Sequence, residues 1–223
     1  MYLSKAIAVF QKDMSSEFKT RYSISAIALF ILTTVTMLAF SMSGEEHIKP
    51  SVIAGLLWLI MFFGAMTGLS RSFVSEEERG TSFLLHISTT PSAVYLGKLF
   101  FNIILSLAIN IFSVLLFFLL VGTTEIKNYA TFSLIILFGS IGIASVSTIT
   151  SAIISLANTK GALFPVLSFP IILPLIILAI EITKSSFSIS SFQEIQSNFI
   201  LLIAYCGIVI TASYLLFDFI WNE

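Results

Sequence analysis

Charged residues are scarce in this sequence. Lys, Arg, Asp and Glu make up 10% of its 223 residues, whereas an ordinary soluble domain is about a quarter charged. Hydrophobic residues make up 57%, and the mean hydropathy is +1.03. This composition excludes a protein whose main solvent is water. The formal net charge is −1, and no nucleic-acid partner is predicted.

The sequence also has little of what catalytic and metal sites are made from. The one cysteine, Cys206, has no partner for an intramolecular disulfide. The two histidines, His47 and His86, are predicted to lie on opposite sides of a membrane, which excludes a Ser-His-Asp hydrolase and a metal-binding spacing. No GxxxxGK[ST] phosphate loop occurs. The chain is therefore predicted not to be an enzyme, and ATP would have to be hydrolysed by another subunit.

Long apolar runs, in contrast, are abundant. About 20 mainly apolar residues let a helix cross a hydrocarbon core about 30 Å thick. Six runs meet this requirement, at residues 24–42, 51–69, 99–121, 129–156, 162–182 and 199–220. They are continuously apolar rather than alternating, which excludes a barrel. The predicted fold is an all-α integral membrane protein with six transmembrane helices.

The distribution of Lys and Arg predicts the orientation of these helices. With the N-terminus inside, eight basic residues fall on the cytoplasmic side and three outside. The eight are Lys5, Lys12, Lys19, Arg21, Arg71, Arg79, Lys98 and Lys160, and the three are Lys49, Lys127 and Lys184. Both termini are therefore predicted to be cytoplasmic.

Residues 1–22 precede the first run and are amphipathic. On a helix, one face carries Leu3, Ile7, Phe10, Met14 and Phe18, with Lys5, Lys12 and Lys19 roughly opposite. Such a helix lies along the cytoplasmic membrane surface, with its lysines near anionic lipid. The sequence thus predicts an interfacial helix over 1–22 and a transmembrane domain over 23–223. The helix is either a plain anchor or an elbow that also steadies a cytoplasmic partner.

Polar residues form a stripe in the third run, where Asn102, Ser106 and Asn110 recur at helical spacing. An asparagine that faces lipid leaves its amide unsatisfied at a cost of several kcal/mol. The stripe is therefore predicted to face protein or water. It can supply hydrogen bonds between helices, or it can line a transport path or a dimer seam.

Prolines mark the fifth run, at Pro165, Pro170 and Pro174. Each removes a backbone donor and crowds the preceding turn, so kinks or a broken helix are predicted. Such sites serve either as hinges or as static bends. In the loop after the first run, His47 is either a solvated residue or an axial haem ligand.

The most informative segment is 75–98, between the second and third runs on the predicted cytoplasmic side. Three acids, Glu76, Glu77 and Glu78, precede Arg79 and the break at Gly80. A short helix capped by Thr81 is expected to follow. Its apolar face would carry Phe83, Leu84 and Ile87. That helix is too short to span a membrane and is predicted to dock into a groove.

A family resemblance rests on these residues. Glu78-Arg79-Gly80-Thr81, then Pro91, then Gly97-Lys98 resemble the coupling-helix signature of ABC-2-type transporter permeases. Within that superfamily, the six spans, the amphipathic start and Lys160-Gly161 followed by LSFPIILPLIILA resemble the CcmB family, the haem-exporter B subunits of cytochrome c maturation. One departure is Phe83, close to where members of the wider family often carry an acid.

The resemblance implies a permease subunit in the bacterial cytoplasmic (inner) membrane. It implies a homodimer bound to the ATPase CcmA, with CcmC, CcmD and CcmE as further partners, ATP on the partner subunit and haem as possible cargo. The residues implied in coupling to the ATPase are Glu76, Glu77, Glu78, Arg79, Gly80, Thr81, Phe83, Leu84 and Ile87. ATP hydrolysis would drive haem export or release of haem-loaded CcmE, while this chain binds no cofactor. The alternatives are an ABC-2-type permease for a lipid, drug or glycan, and a non-transporting membrane scaffold.

Overall fold

A computed structural model describes residues 2–19, 22–44, 48–78, 80–122, 125–156, 160–188 and 192–221. Throughout these ranges the regular structure is α-helical. The helices are α1 (Tyr2–Lys19), α2 (Tyr22–Met42), α3 (Pro50–Leu69), α4 (Val74–Glu78), α5 (Ser82–Ser88), α6 (Pro91–Leu120), α7 (Tyr129–Ser155), α8 (Lys160–Ser186) and α9 (Phe192–Trp221).

Six candidate membrane spans lie in the described part of the chain, contributed by α2, α3, α6, α7, α8 and α9. The second candidate also takes in the short acidic α4, which follows the apolar α3. The prediction of an all-helical fold with six apolar spans is therefore confirmed. The largest difference in boundaries is that α6 begins at Pro91 rather than at residue 99, because proline is favourable in the first turn of a helix.

The centre of the bundle is α7, which packs against α3, α6, α8 and α9. Its small residues let neighbouring helices approach closely, which matters because packing rather than the hydrophobic effect drives helix association in lipid. A Cβ atom on Gly139, for example, would lie 2.1 Å from Cη2 of Trp58 on α3. The small residues of the fourth predicted run thus form the core of the fold.

α8 is continuous from Lys160 to Ser186, although Pro165, Pro170 and Pro174 lie inside it. Of the two predicted outcomes, a kink or a break, the break is not observed. In the turn before Pro174, the Ile171 carbonyl accepts a hydrogen bond from the Tyr205 hydroxyl on α9. This bond joins α8 to α9 one residue beyond Pro170, whose carbonyl is the one that Pro174 leaves without an intrahelical donor. A hinge role for the three prolines stays a prediction.

One end of the bundle gathers most of the residues that the sequence singled out. α1 packs along α6, α4 and α5 precede the start of α6, and Trp221 near the end of α9 stacks on His86 of α5. We call this the α5 end of the bundle.

Candidate functional site

α5 presents a large apolar surface at the α5 end. Phe83, Leu84 and Ile87 are 69%, 64% and 71% exposed, whereas Leu85 is buried. A helix turns by about 100° per residue, so Phe83, Leu84 and Ile87 fall on one side of α5 and Leu85 falls on the opposite side. The three exposed side chains belong to a helix that lies outside the candidate spans and follows three acids in the sequence. An exposed apolar patch bordered by polar groups is typical of a protein interaction site.

The three acids that precede α5 have different surroundings. Glu77 and Glu78 are exposed, and Glu78 forms an ion pair of 3.5 Å with Arg71. Glu76 is buried, so it cannot offer its charge to a partner as its neighbours can. Arg79 and His47, both singled out by the sequence, lie outside the described residues.

Gly80 turns the chain between α4 and α5. Its φ of +66° lies in the left-handed region, which glycine adopts without steric cost. The predicted break at this residue is therefore a real change of chain direction.

Thr81 does not cap α5 as predicted, although it occupies the N-cap position. Its hydroxyl instead donates hydrogen bonds to the carboxylate and the carbonyl oxygen of Glu76. The reason is the backbone of Thr81, whose φ of −90° and ψ of −8° are helical, whereas a capping residue has extended backbone. Thr81 thus joins α5 to α4 rather than stabilising the first turn of α5.

Glu76 belongs to an ion cluster that joins three helices. Lys98 on α6 places its ammonium 3.1 Å from Asp13 Oδ2 on α1 and 3.4 Å from Glu76 Oε1 on α4. The same ammonium donates to the Ser72 carbonyl at 2.7 Å, and Lys12 of α1 pairs with both acids. We call Lys12, Asp13, Glu76 and Lys98 the ion cluster. It joins α1, and the α4 helix that precedes α5, to the start of α6.

The charge of Glu76 is compensated within this cluster. Lys12 and Lys98 place ammonium groups on its carboxylate, and the Thr81 hydroxyl donates a hydrogen bond to it. Opposite charges and hydrogen bonds of this kind favour an ionised carboxylate over a neutral one.

The approach of α1 to α6 depends on Gly97. A Cβ atom there would lie 2.6 Å from the Ala6 carbonyl oxygen and 2.8 Å from Val9 Cβ. The Ala6 oxygen belongs to the backbone of α1, so the whole helix would have to move. The glycine thus lets α1 lie close enough for Asp13 to reach Lys98.

We expect Gly97→Ala to displace α1 and to cost about 1 to 3 kcal/mol of its docking free energy. Trypsin cleavage within α1 should then be faster in detergent micelles, as followed by mass spectrometry. Gly207→Ala is the control, because a Cβ atom on Gly207 meets nothing within 4 Å. Equal cleavage rates for the two variants would contradict the role given to Gly97.

The polar stripe of the third run lies in the interior of the helix bundle. Asn102 donates to Thr148 Oγ1 and Asn110 donates to Ser140 Oγ, both at 2.8 Å. Ser106 is buried between them along α6. The stripe therefore faces α7 and contributes hydrogen bonds between helices, whereas its use as a path or a dimer seam stays a prediction.

Sequence reasoning missed the ion cluster, including the ion pair of Lys98 with Asp13, and it missed the stack of His86 on Trp221. The first had a signal, since a lysine at the start of an apolar run needs a partner. The acid that supplies it could not be chosen from the sequence. The second had no signal, because nothing local relates the end of α9 to α5.

The fold and this site define a multi-pass helical membrane protein with a short amphipathic helix exposed at one end. The model of the CcmB protein family matches residues 4–218, and the chain belongs to this family. It is thus a membrane permease component of a haem-export ABC system of cytochrome c maturation, in which a partner subunit is the ATPase. No curated protein matches the chain.

Proposed function

We propose that this chain couples ATP binding and hydrolysis on the ATPase CcmA to haem export or to the release of haem-loaded CcmE. The observation that carries the proposal is the exposed face of α5, formed by Phe83, Leu84 and Ile87. Burying an apolar side chain of this size contributes about 1.5 to 3 kcal/mol. Three of them on one short helix are enough to anchor it in a cleft of another protein.

The ion cluster supports a route from α5 into the membrane helices. Thr81 bonds to Glu76, and Glu76 in turn pairs with Lys98 at the start of α6. A displacement of α5 by nucleotide-driven closure of the ATPase would therefore bear on α6 and α1 as well. Such a displacement can bias a helix bundle between two packing arrangements.

Both termini are proposed to be cytoplasmic. The excess of Lys and Arg on that side supports this orientation. The packing of α1 on α6 and the stack of Trp221 on His86 also support it, because they bring both ends of the chain to the same side as α5. On this proposal α1 lies at the inner surface of the bacterial cytoplasmic membrane.

The assembly is proposed to be a homodimer of this chain with two copies of CcmA, joined by CcmC, CcmD and CcmE. Family membership supports an ABC system of cytochrome c maturation, and the specific subunits are part of the proposal. The chain itself is proposed to hold no cofactor, with ATP on CcmA and haem as cargo.

The test is copurification of CcmA with the full-length chain in mild detergent, followed by binding measurements in nanodiscs. Phe83→Ala should weaken CcmA binding at least about tenfold, because interface energy concentrates in a few buried aromatic anchors. Leu3→Ala is the matched control, since Leu3 is 72% exposed on α1 and should leave binding unchanged.

Three results would count against the proposal. Failure of CcmA to copurify with the wild-type chain would remove the coupling function. ATP turnover indifferent to Phe83→Ala and to CcmE would favour a non-transporting scaffold. Turnover stimulated by a lipid or drug but not by haem-loaded CcmE would favour another ABC-2-type cargo.

A further inference from the structure

The last described turn of α9 carries an aromatic side chain, Trp221, that contacts α5. The Trp221 indole stacks on the His86 imidazole, with ring centroids 3.8 Å apart and planes 12° from parallel. Behind the stack, Phe217 lies 5.5 Å from Trp221 and 5.4 Å from Phe73, between ring centroids. These contacts join the end of α9 to the helix that bears the exposed apolar face.

α5 needs such contacts because it is weak on its own. It has seven residues, and isolated helices shorter than about 12 residues are marginal in water. Its N-cap residue Thr81 provides no side-chain cap. Leu85 is its buried side chain and lines a small cavity together with Phe217 and Trp221. The orientation of α5 therefore depends on what holds Leu85 and His86.

Leu85 and His86 lie outside the arc of α5 that carries the exposed apolar face. With about 100° between successive residues, Phe83, Ile87 and Leu84 fall within an arc of about 100°. Leu85 lies opposite that arc, and His86, which is itself exposed, lies between Leu85 and Phe83. A rotation of α5 about its axis would turn the exposed face away from a cleft in the ATPase. The stack of His86 on Trp221 opposes that rotation.

We propose that Trp221 is a positioning residue for ATPase binding, which holds α5 through His86 at the angle where its apolar face points outward. Trp221 acts through α5 and is not itself part of the face that enters the cleft. This inference rests on the proposed function and extends it from α5 to the end of α9.

The test compares CcmA affinity for variants of the full-length chain in nanodiscs. Trp221→Ala should weaken binding about tenfold, the scale expected for loss of a stacked aromatic pair. Trp221→Phe retains a ring and should stay within about twofold of the wild type. Phe219→Ala is the matched control, because Phe219 is 75% exposed on the same part of α9 and should have no effect.

Fluorescence adds a measurement that a general loss of stability would not reproduce. The chain has two tryptophans, so the difference in emission between the wild type and Trp221→Phe isolates Trp221. His86→Ala should shift that emission and weaken CcmA binding as much as Trp221→Ala. The double variant should bind no more weakly than either single variant, since both remove the same stack.

The outcomes separate the two proposals. Wild-type binding with equal affinities for Trp221→Ala and Phe219→Ala, or additive losses in the double variant, overturns the role of Trp221 alone. Lack of binding by the wild-type chain overturns the proposed function and this inference together. A tenfold loss that Trp221→Phe restores, with the predicted shift in emission, supports both.

Discussion

Lys98→Met is expected to lower the free energy of unfolding by about 3 to 5 kcal/mol, the usual cost of leaving buried charges without a partner. The Lys98 side chain is 1% exposed, and its ammonium lies 3.1 Å from Asp13 and 3.4 Å from Glu76. Methionine keeps the length and apolar packing of the side chain but removes the positive charge. Two largely buried carboxylates would then face one another with Lys12 as their remaining cation within the ion cluster.

The measurement is unfolding by SDS in mixed micelles. Lys12→Met is the matched control: its side chain is 41% exposed, so water can replace it and the cost should stay within about 1 kcal/mol. Combining Lys98→Met with Asp13→Asn and Glu76→Gln should recover at least half of the loss, because no unpaired charge then remains buried. If Lys98→Met and Lys12→Met lowered the free energy of unfolding equally, the burial of Lys98 would not determine how much the ion cluster stabilises the fold.

The six spans could be predicted because their signal is local. A continuous apolar run long enough to cross a membrane is visible in a local window of the sequence. Each predicted run lies in one long helix, although the runs 99–121 and 129–156 extend one residue beyond their helices. The start of α6 was harder, because the segment from Pro91 to Lys98 is not apolar enough to read as a span. Pro91 favours the first turn of the helix there, and Gly97 and Lys98 within it contact α1, which is a tertiary contact.

The apolar face of α5 was also predictable, since Phe83, Leu84 and Ile87 repeat at helical spacing within a short segment. The different surroundings of the acids that precede α5 could not be predicted. Glu76 differs from Glu77 through the proximity of Lys98 and Lys12, which are far from it in sequence. Such pairings follow from how helices pack, and composition and periodicity do not encode them.

Close packing also requires a glycine at position 139. We expect Gly139→Ala to lower the free energy of unfolding by about 3 kcal/mol. An added Cβ atom would lie 2.1 Å from Cη2 and 2.8 Å from Cζ3 of Trp58. Trp58 is fully buried, and its Nε1 donates to Thr183 Oγ1 on α8 at 2.8 Å. The indole therefore cannot move aside without breaking that bond and disturbing the contact between α3 and α8.

The sign of the change in the free energy of unfolding distinguishes an effect of packing from an effect of helix propensity. Alanine favours a helix over glycine by about 0.5 to 1 kcal/mol, and a Cβ atom on Gly55 of α3 meets nothing within 4 Å. Gly55→Ala should thus be neutral or stabilising in the SDS unfolding assay, whereas Gly139→Ala should be destabilising. Trp58→Phe places a smaller ring against position 139. It should therefore lower the free energy of unfolding less in the Gly139→Ala background than in the wild type. Additive costs would mean that Trp58 does not set the requirement for glycine at this position.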